Sequence, residues 1–369
     1  MVFNVIRHMK PRQRWAHRKE RDLKLGKLGI VKVLRNVAAT NGLRRCRHLV
    51  RSEDGAASGP FMARGQSKQV VWEEPNRANT PELQIGRSGG RYSTVTGVWW
   101  LDETRFIAAH RSGMMLAVFS KDHLDGPVWS GPIDHVSDDI AAKQITPSTW
   151  EIAVSGCWDC IYSRYHLRET DAGFEIDTLD RLAHGSKDFC HGVAYDASGG
   201  LCYSIHTGKR PRFGIGRDSY KLPAPWGVRD LCHDPVRQRY LAVAVSANPR
   251  RTAYSGVQTS LWTLDEGDSK WACMAAYNNV HSDALDVWNG HVWIPDQVGN
   301  RLLALNADTG AVDAIFDGDA LDFPHGLGIS AEGVIAVTNY GSSSIILAAA
   351  DELLGSVGVS GGLGRVSTG

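Results

Sequence analysis

No apolar run in this 369-residue chain approaches the roughly 18 residues that a membrane-spanning helix needs. The basic N-terminus also lacks the apolar segment of a signal peptide. Both lacks point to a soluble, cytoplasmic chain. Seven cysteines, an odd number scattered along the length, do not have the density of a disulfide framework and read as reduced, buried thiols. One close pair, Cys157-Trp158-Asp159-Cys160, sits at a hairpin rather than at the start of a helix, and no second pair lies near it. Thioredoxin-type chemistry and a paired-cysteine zinc site are therefore not indicated. A Gly-x-Ser-x-Gly elbow in a strand-to-helix setting is missing as well, which removes support for a serine-triad hydrolase. The Gly214-Ile215-Gly216-Arg217 stretch lacks the strand–turn–helix setting of a dinucleotide loop and reads as a β-turn.

Net charge is also nearly absent, at +1, but the balance hides an asymmetry. Residues 1–51 carry 15 Lys and Arg against only Glu20 and Asp22, leaving 26 basic and 38 acidic residues for the remainder. Such a basic arm could hold nucleic acid or an anionic surface. Too few aromatics interleave its charges for base stacking, and no sustained period marks a helix or strand. We read residues 1–66 as an unfolded extension, or as the product of a start codon upstream of Met62. Nucleic acid is expected, if at all, only through this arm, because the acidic body disfavours it.

What the chain does have is repetition. Within Phe323–Leu347 three apolar runs, Gly326–Ser330, Val334–Thr338 and Ser344–Ala348, are separated by turn residues at hairpin spacing. Upstream, Asp283–Trp288, His291–Asp296, Arg301–Asn306 and Ala311–Phe316 form a four-stranded meander. Similar runs recur from Gly97 at about 46 residues per unit, a four-stranded repeat of the β-propeller type. This predicts an all-β, six-bladed propeller over residues 67–354, followed by a loose Gly/Ser-rich tail, 355–369. The last unit has three strands, so a strand within Gln69–Ile85 is expected to complete it and close the ring, hiding two sheet edges.

In such a ring, the residue just before each innermost strand points into the mouth of the central channel. Aligning the units places Thr96, Asp138 or Asp139, His191, Arg229, Asp283 and His325 there, with His281 two residues before Asp283. Imidazole and carboxylate groups delivered by rigid strands to one concavity make a binding or catalytic site. His191, Asp283 and His325 form a candidate ligand set for a divalent ion, zinc or calcium, with His281 as a further ligand or acid–base group. Asp139 is a candidate catalytic carboxylate. Arg229 suits a carboxylate, phosphate or sulfate clamp; the alternative is an ion pair with Asp230, Asp234 or Asp283. At the ends of the second strands His110, His206, Asn248, Asp296 and Asn339 are read as ties between blade loops, and the insertion Asn248–Gln258 as a cover for the site. Trp226 could wall the channel.

The segments Pro324-His325-Gly326-Leu327 with Ala336-Val337-Thr338-Asn339, and Cys190-His191-Gly192-Val193 with Tyr203-Ser204-Ile205, resemble blades of the NHL-repeat and gluconolactonase (senescence-marker) superfamily of six-bladed propellers. The likeness covers about residues 92–350 and implies an architecture more than an activity. It implies relatives that include metal-dependent lactonases and a zinc-dependent lyase. The gluconolactonase ligand pattern has an acid in the first blade where this chain has Thr96, so that pattern is not reproduced. The expectation is a propeller enzyme acting on a small organic, possibly anionic, substrate by metal-assisted hydrolase or lyase chemistry. The alternative is a non-enzymatic propeller that serves as a binding platform for a protein or other ligand.

Overall fold

Short amphipathic strands joined by tight turns bury only one face each, and stacking meanders side by side covers the rest. In the computed structural model the chain does this with six antiparallel four-stranded blades, one per repeat, arranged as a propeller, one of them extended by a fifth strand. The structure describes residues 95–349 except for short loops, the longest at 184–188 and 247–257, together with two strands at 62–64 and 69–73 and a helix at 350–360. The basic arm at 1–61, Cys157 to Cys160, and Asn248 with nearly all of its insertion lie outside the described residues.

Strands β1 (Met62–Arg64) and β2 (Gln69–Glu73) precede the first blade, β3 (Val95–Trp100), β4 (Arg105–His110), β5 (Met115–Ser120) and β6 (Trp129–Pro132). The second blade is β7 (Ile140–Thr146), β8 (Thr149–Gly156), β9 (Ile161–Thr170) and β10 (Gly173–Ala183). The third is β11 (Phe189–Tyr195), β12 (Leu201–Thr207), β13 (Arg212–Ile215) and β14 (Asp218–Tyr220). The fourth is β15 (Trp226–Asp234), β16 (Arg239–Ser246), β17 (Gln258–Asp265) and β18 (Ala272–Asn278). The fifth is β19 (Asp286–Trp288), β20 (His291–Asp296), β21 (Arg301–Asn306) and β22 (Val312–Asp317). The sixth has β23 (Pro324–Ile329), β24 (Val334–Asn339) and β25 (Ser344–Ala349).

As expected, an N-terminal strand completes the sixth blade: β2 pairs antiparallel with β25, Gln69 opposite Leu347 and Glu73 opposite Ser344. Less expected, β1 adds a fifth, parallel strand to the outer edge of blade five. It covers the outer edge of β22, and it lies in a segment that the sequence reading assigned to the extension. Beyond β25 the chain continues as helix α1 (Ala350–Ser360), which extends into the segment read as a Gly/Ser-rich tail; residues 361–369 lie outside the described residues. Ala350 and Leu353 are buried in the blade five and six core, and Asp351 and Glu352 favour the dipole of the first turn.

The core lies in six layers between blades. Trp293 and Phe316 of blade five stack beside Ile335 and Val337 of blade six; Ile107 and Val118 of blade one face Trp150 and Ile152 of blade two. At the innermost strands each seam is closed by one of two devices. Inner-strand glycines allow close approach: a Cβ at Gly192 would lie 2.5 Å from Asp230 Cα, and one at Gly97 would lie 2.6 Å from the Ile140 nitrogen. Gly326 lies against Thr96 in the same way, and Thr338 Oγ1 donates across that seam to the Thr96 carbonyl. The other three seams use carboxylates that accept a backbone N–H of the next blade: Asp139 from Val193 at 2.9 Å, Asp230 from Leu285 at 3.1 Å and Asp286 from Ile329 at 2.8 Å. Further out, Asp296 accepts from His281 N–H and Arg301, and Asn339 accepts from Asp322 N–H and donates to Ala320. These are the loop ties expected at the second-strand ends.

Candidate functional site

Bulges set the site. The register of the inner pair shifts between Cys190 and Val193, between Val228 and Asp230, and between Pro324 and Leu327, bracketing His191, Arg229 and His325. A bulge removes a residue from the ladder and re-aims its side chain. Here three blades turn their re-aimed residue toward one cluster.

Asp283 stands at the centre of the cluster. Its Oδ1 lies 3.0 Å from His281 Nε2, 3.4 Å from Arg229 Nε and 3.6 Å from His191 Nε2. Its Oδ2 accepts from Gln297 Nε2 at 2.7 Å and lies 3.5 Å from His325 Nε2. Beside it, Asp138 Oδ1 is 2.5 Å from Arg111 Nη1, and Oδ2 is 3.2 Å from His191 Nε2. The His191 and His325 rings stack with centroids 5.9 Å apart and 13° between planes. Tyr340 stacks on His325 at 5.5 Å, and the Arg111 guanidinium lies 5.7 Å from the Tyr340 ring centroid. Asp138, His191, His281, Asp283 and His325 are all buried.

Charge inside the cluster is balanced. Burial pushes the Asp283 carboxyl up, but Arg229, His281 and His191 outweigh it and hold the group well below the usual carboxylate range. For Asp138 burial is likewise outweighed by Arg111, His191 and His325, and its pKa is lowered. Burial lowers His191 against the pull of Asp138 and Asp283, and it lowers His325 to about 4. The two stacked imidazoles are thus neutral at pH 7, between two carboxylates and two guanidiniums.

The structure brings together His191, Arg229, His281, Asp283 and His325 among the residues picked from the sequence. It does not bring Asp139: that carboxyl accepts the Val193 and Ile140 N–H groups, and burial pushes it up to about 7. Asp138, one residue earlier and on the other side of the strand path, faces the cluster instead. Thr96 is fully buried, donates to the Ala109 carbonyl, and stays out of it. Trp226 packs in the blade three and four core. Sequence reasoning missed Arg111, Gln297 and Tyr340. Each directly follows a second strand, β4, β20 and β24, so a signal existed one residue beyond the positions chosen.

Among the described residues, Asp138, His191 and His325 offer one donor atom each within 4.8 Å of one another, a group able to hold a metal ion. Asp138 Oδ2 is buried and receives no hydrogen bond, an orphaned acceptor that a cation would satisfy. Two neutral imidazoles and a carboxylate match the donor chemistry of zinc, so the residues fit such an ion. A second grouping is less capable. Asp134, Ser163 and Tyr165 all face His135 at the same nitrogen, Nδ1, whereas a Ser–His–Asp relay uses opposite ring nitrogens.

No protein-family model matches the chain, and no curated protein matches it in sequence. Among solved structures it is similar to the PQQ-bound aldose sugar dehydrogenase of Streptomyces coelicolor, with a TM-score of 0.50 and 12% identity over 76% of this chain and 97% of that one. A structural genomics protein of unknown function from Bacteroides thetaiotaomicron matches with a TM-score of 0.51 and 12% identity, over 79% of this chain and 74% of that one. A luciferin-regenerating enzyme matches with a TM-score of 0.51 and 10% identity, over 69% and 90%. At these identities the likeness shows the β-propeller fold and nothing finer.

Proposed function

We propose that the chain is a propeller enzyme of the NHL-repeat and gluconolactonase-like type that acts on a small anionic organic substrate at the channel mouth, by metal-assisted hydrolase or lyase chemistry. The observation that carries this reading is the convergence of five blades on one set: two buried neutral imidazoles, an orphaned buried carboxylate oxygen and two partly buried arginines. Asp138, His191 and His325 would hold the ion. When bound, it would supply Lewis-acid polarisation and a lowered pKa for a coordinated water.

The remaining residues have separate tasks. Asp283 fixes the orientation of His281 through Nε2, as a carboxylate does for an acid–base imidazole, and His281 would take up or return the proton. Gln297 holds Asp283 in place from its other oxygen. Arg229, the less buried partner of Asp283, would meet the substrate anion. Two carboxylates and two guanidiniums already cancel, so an added divalent ion would leave net positive charge, which suits an anionic substrate. The same cancellation favours a second reading, metal-free acid–base catalysis by His281 with the arginines as anion clamp.

Turnover of a panel of carboxylate-bearing lactones, esters and lyase substrates tests the proposal. With a substrate found, His281→Ala should lower kcat by about 100-fold or more. Arg229→Gln should chiefly raise KM for the anionic member over its neutral ester. Full activity in both variants would remove the channel mouth from the chemistry and leave the binding-platform alternative.

A further inference from the structure

A cavity lies away from the cluster. A space of about 460 Å³ is lined by Trp99, Tyr195, His233, Val287 and Ile329, which are at or near the ends of five inner-strand segments, in blades one, three, four, five and six. Tyr195 ends the inner strand in which His191 stands four residues earlier, and none of the cluster residues lines this space. Its volume falls in the range of small-ligand sites.

Its lining has a definite chemistry. Trp99, Trp100 and Tyr195 supply aromatic wall, and Val287 and Ile329 supply aliphatic wall. Four carboxylates line it, and no Lys or Arg does. Asp102 is spent on Arg105 and its own turn, and Asp196 on the Ser198 and Gly200 N–H groups. Asp286, half-buried on the inner strand, accepts the Val287 and Ile329 N–H groups, and Glu103 is exposed; neither makes an ion pair within 4 Å among the described residues. His233 is turned to Glu266, 2.6 Å away. The Tyr195 ring already carries an ammonium, Lys143 Nζ, 4.6 Å from its centroid, so this wall accepts cations.

We propose that this cavity is a second ligand site, for a small organic cation with an aromatic or apolar body: an amine or a quaternary ammonium. The apolar body would lie between Trp99 and Ile329, with the cationic head toward Asp286 and Glu103. An anion would meet four carboxylates and no lining Lys or Arg, and a neutral molecule would gain only the apolar contact.

Calorimetric titration of the full chain with benzyltrimethylammonium, benzyl alcohol and phenylacetate tests this. Saturable binding of the cation at one per chain is expected, at least tenfold tighter than the alcohol, with no binding of phenylacetate. Glu103→Gln, a change at an exposed position, should weaken the cation several-fold. Trp99→Leu should weaken it further, and His325→Ala should leave it unchanged. Equal binding of all three probes, unchanged affinity in Glu103→Gln and Trp99→Leu, or no binding of the cation would each overturn the proposal. Loss of binding in His325→Ala would do so as well, by moving the site to the cluster. The site does not depend on the reading of the channel mouth, and either can fail alone.

Discussion

Asp138 and Asp139 are adjacent, chemically identical and oppositely used. The first faces two imidazoles and Arg111; the second ties blade two to blade three. Sequence alignment of the repeats reached the pair but could not divide it, because strand alternation assigns roles only once register is known. Asp286 is another such tie, and burial outweighs its backbone hydrogen bonds and pushes its carboxyl up to about 6. A carboxyl whose folded pKa is raised contributes stability that is present below its ordinary value near 4 and lost as pH rises through 6. Relative to Asp286→Asn, the native chain should therefore lose about 1–3 kcal/mol between pH 4 and pH 7, part of the full linkage being screened by solvent. Urea unfolding of both proteins at the two pH values measures this, and a constant difference would contradict it.

Elements act here through their edges and seams. Blade three meets blade four at Gly192, where a methyl group would lie 2.5 Å from the Arg229 carbonyl and the Asp230 Cα. Gly192→Ala should cost about 1–3 kcal/mol in thermal or urea unfolding and displace His191, its neighbour. A variant as stable as the native chain would show that the seam is slack. Ring closure is tested at Val70, which pairs with Ile346. A proline there removes a backbone donor and constrains the strand, so Val70→Pro should destabilise the protein by up to about 3 kcal/mol. An unchanged midpoint would mean that β2 adds nothing to blade six. Strand β2 was legible because the last repeat lacked a strand. Strand β1 was not, since three residues in a polar setting carry no periodicity. Helix α1 hides similarly behind glycines and serines; what holds it is the burial of Ala350 and Leu353, a tertiary contact that local sequence does not announce.

At the scale of the molecule, the propeller does one thing that no single blade could: it gathers groups spread over more than 200 residues, from Arg111 to Tyr340, into one cluster. The repeats made that convergence readable for His191, Arg229, Asp283 and His325, which fall at corresponding places in or just before the inner strands. Arg111, Gln297 and Tyr340 escaped because they reach the cluster from the second strands, one residue beyond the ties. The central claim is that this cluster holds a divalent ion. Elemental analysis of the untagged protein, beside Asp138→Asn, His191→Ala and His325→Ala, tests it most directly. About one zinc or calcium per chain in the native protein, lost in all three folded variants, is the predicted result. A native protein that stays metal-free after incubation with either ion, or variants that keep a full complement, would contradict it.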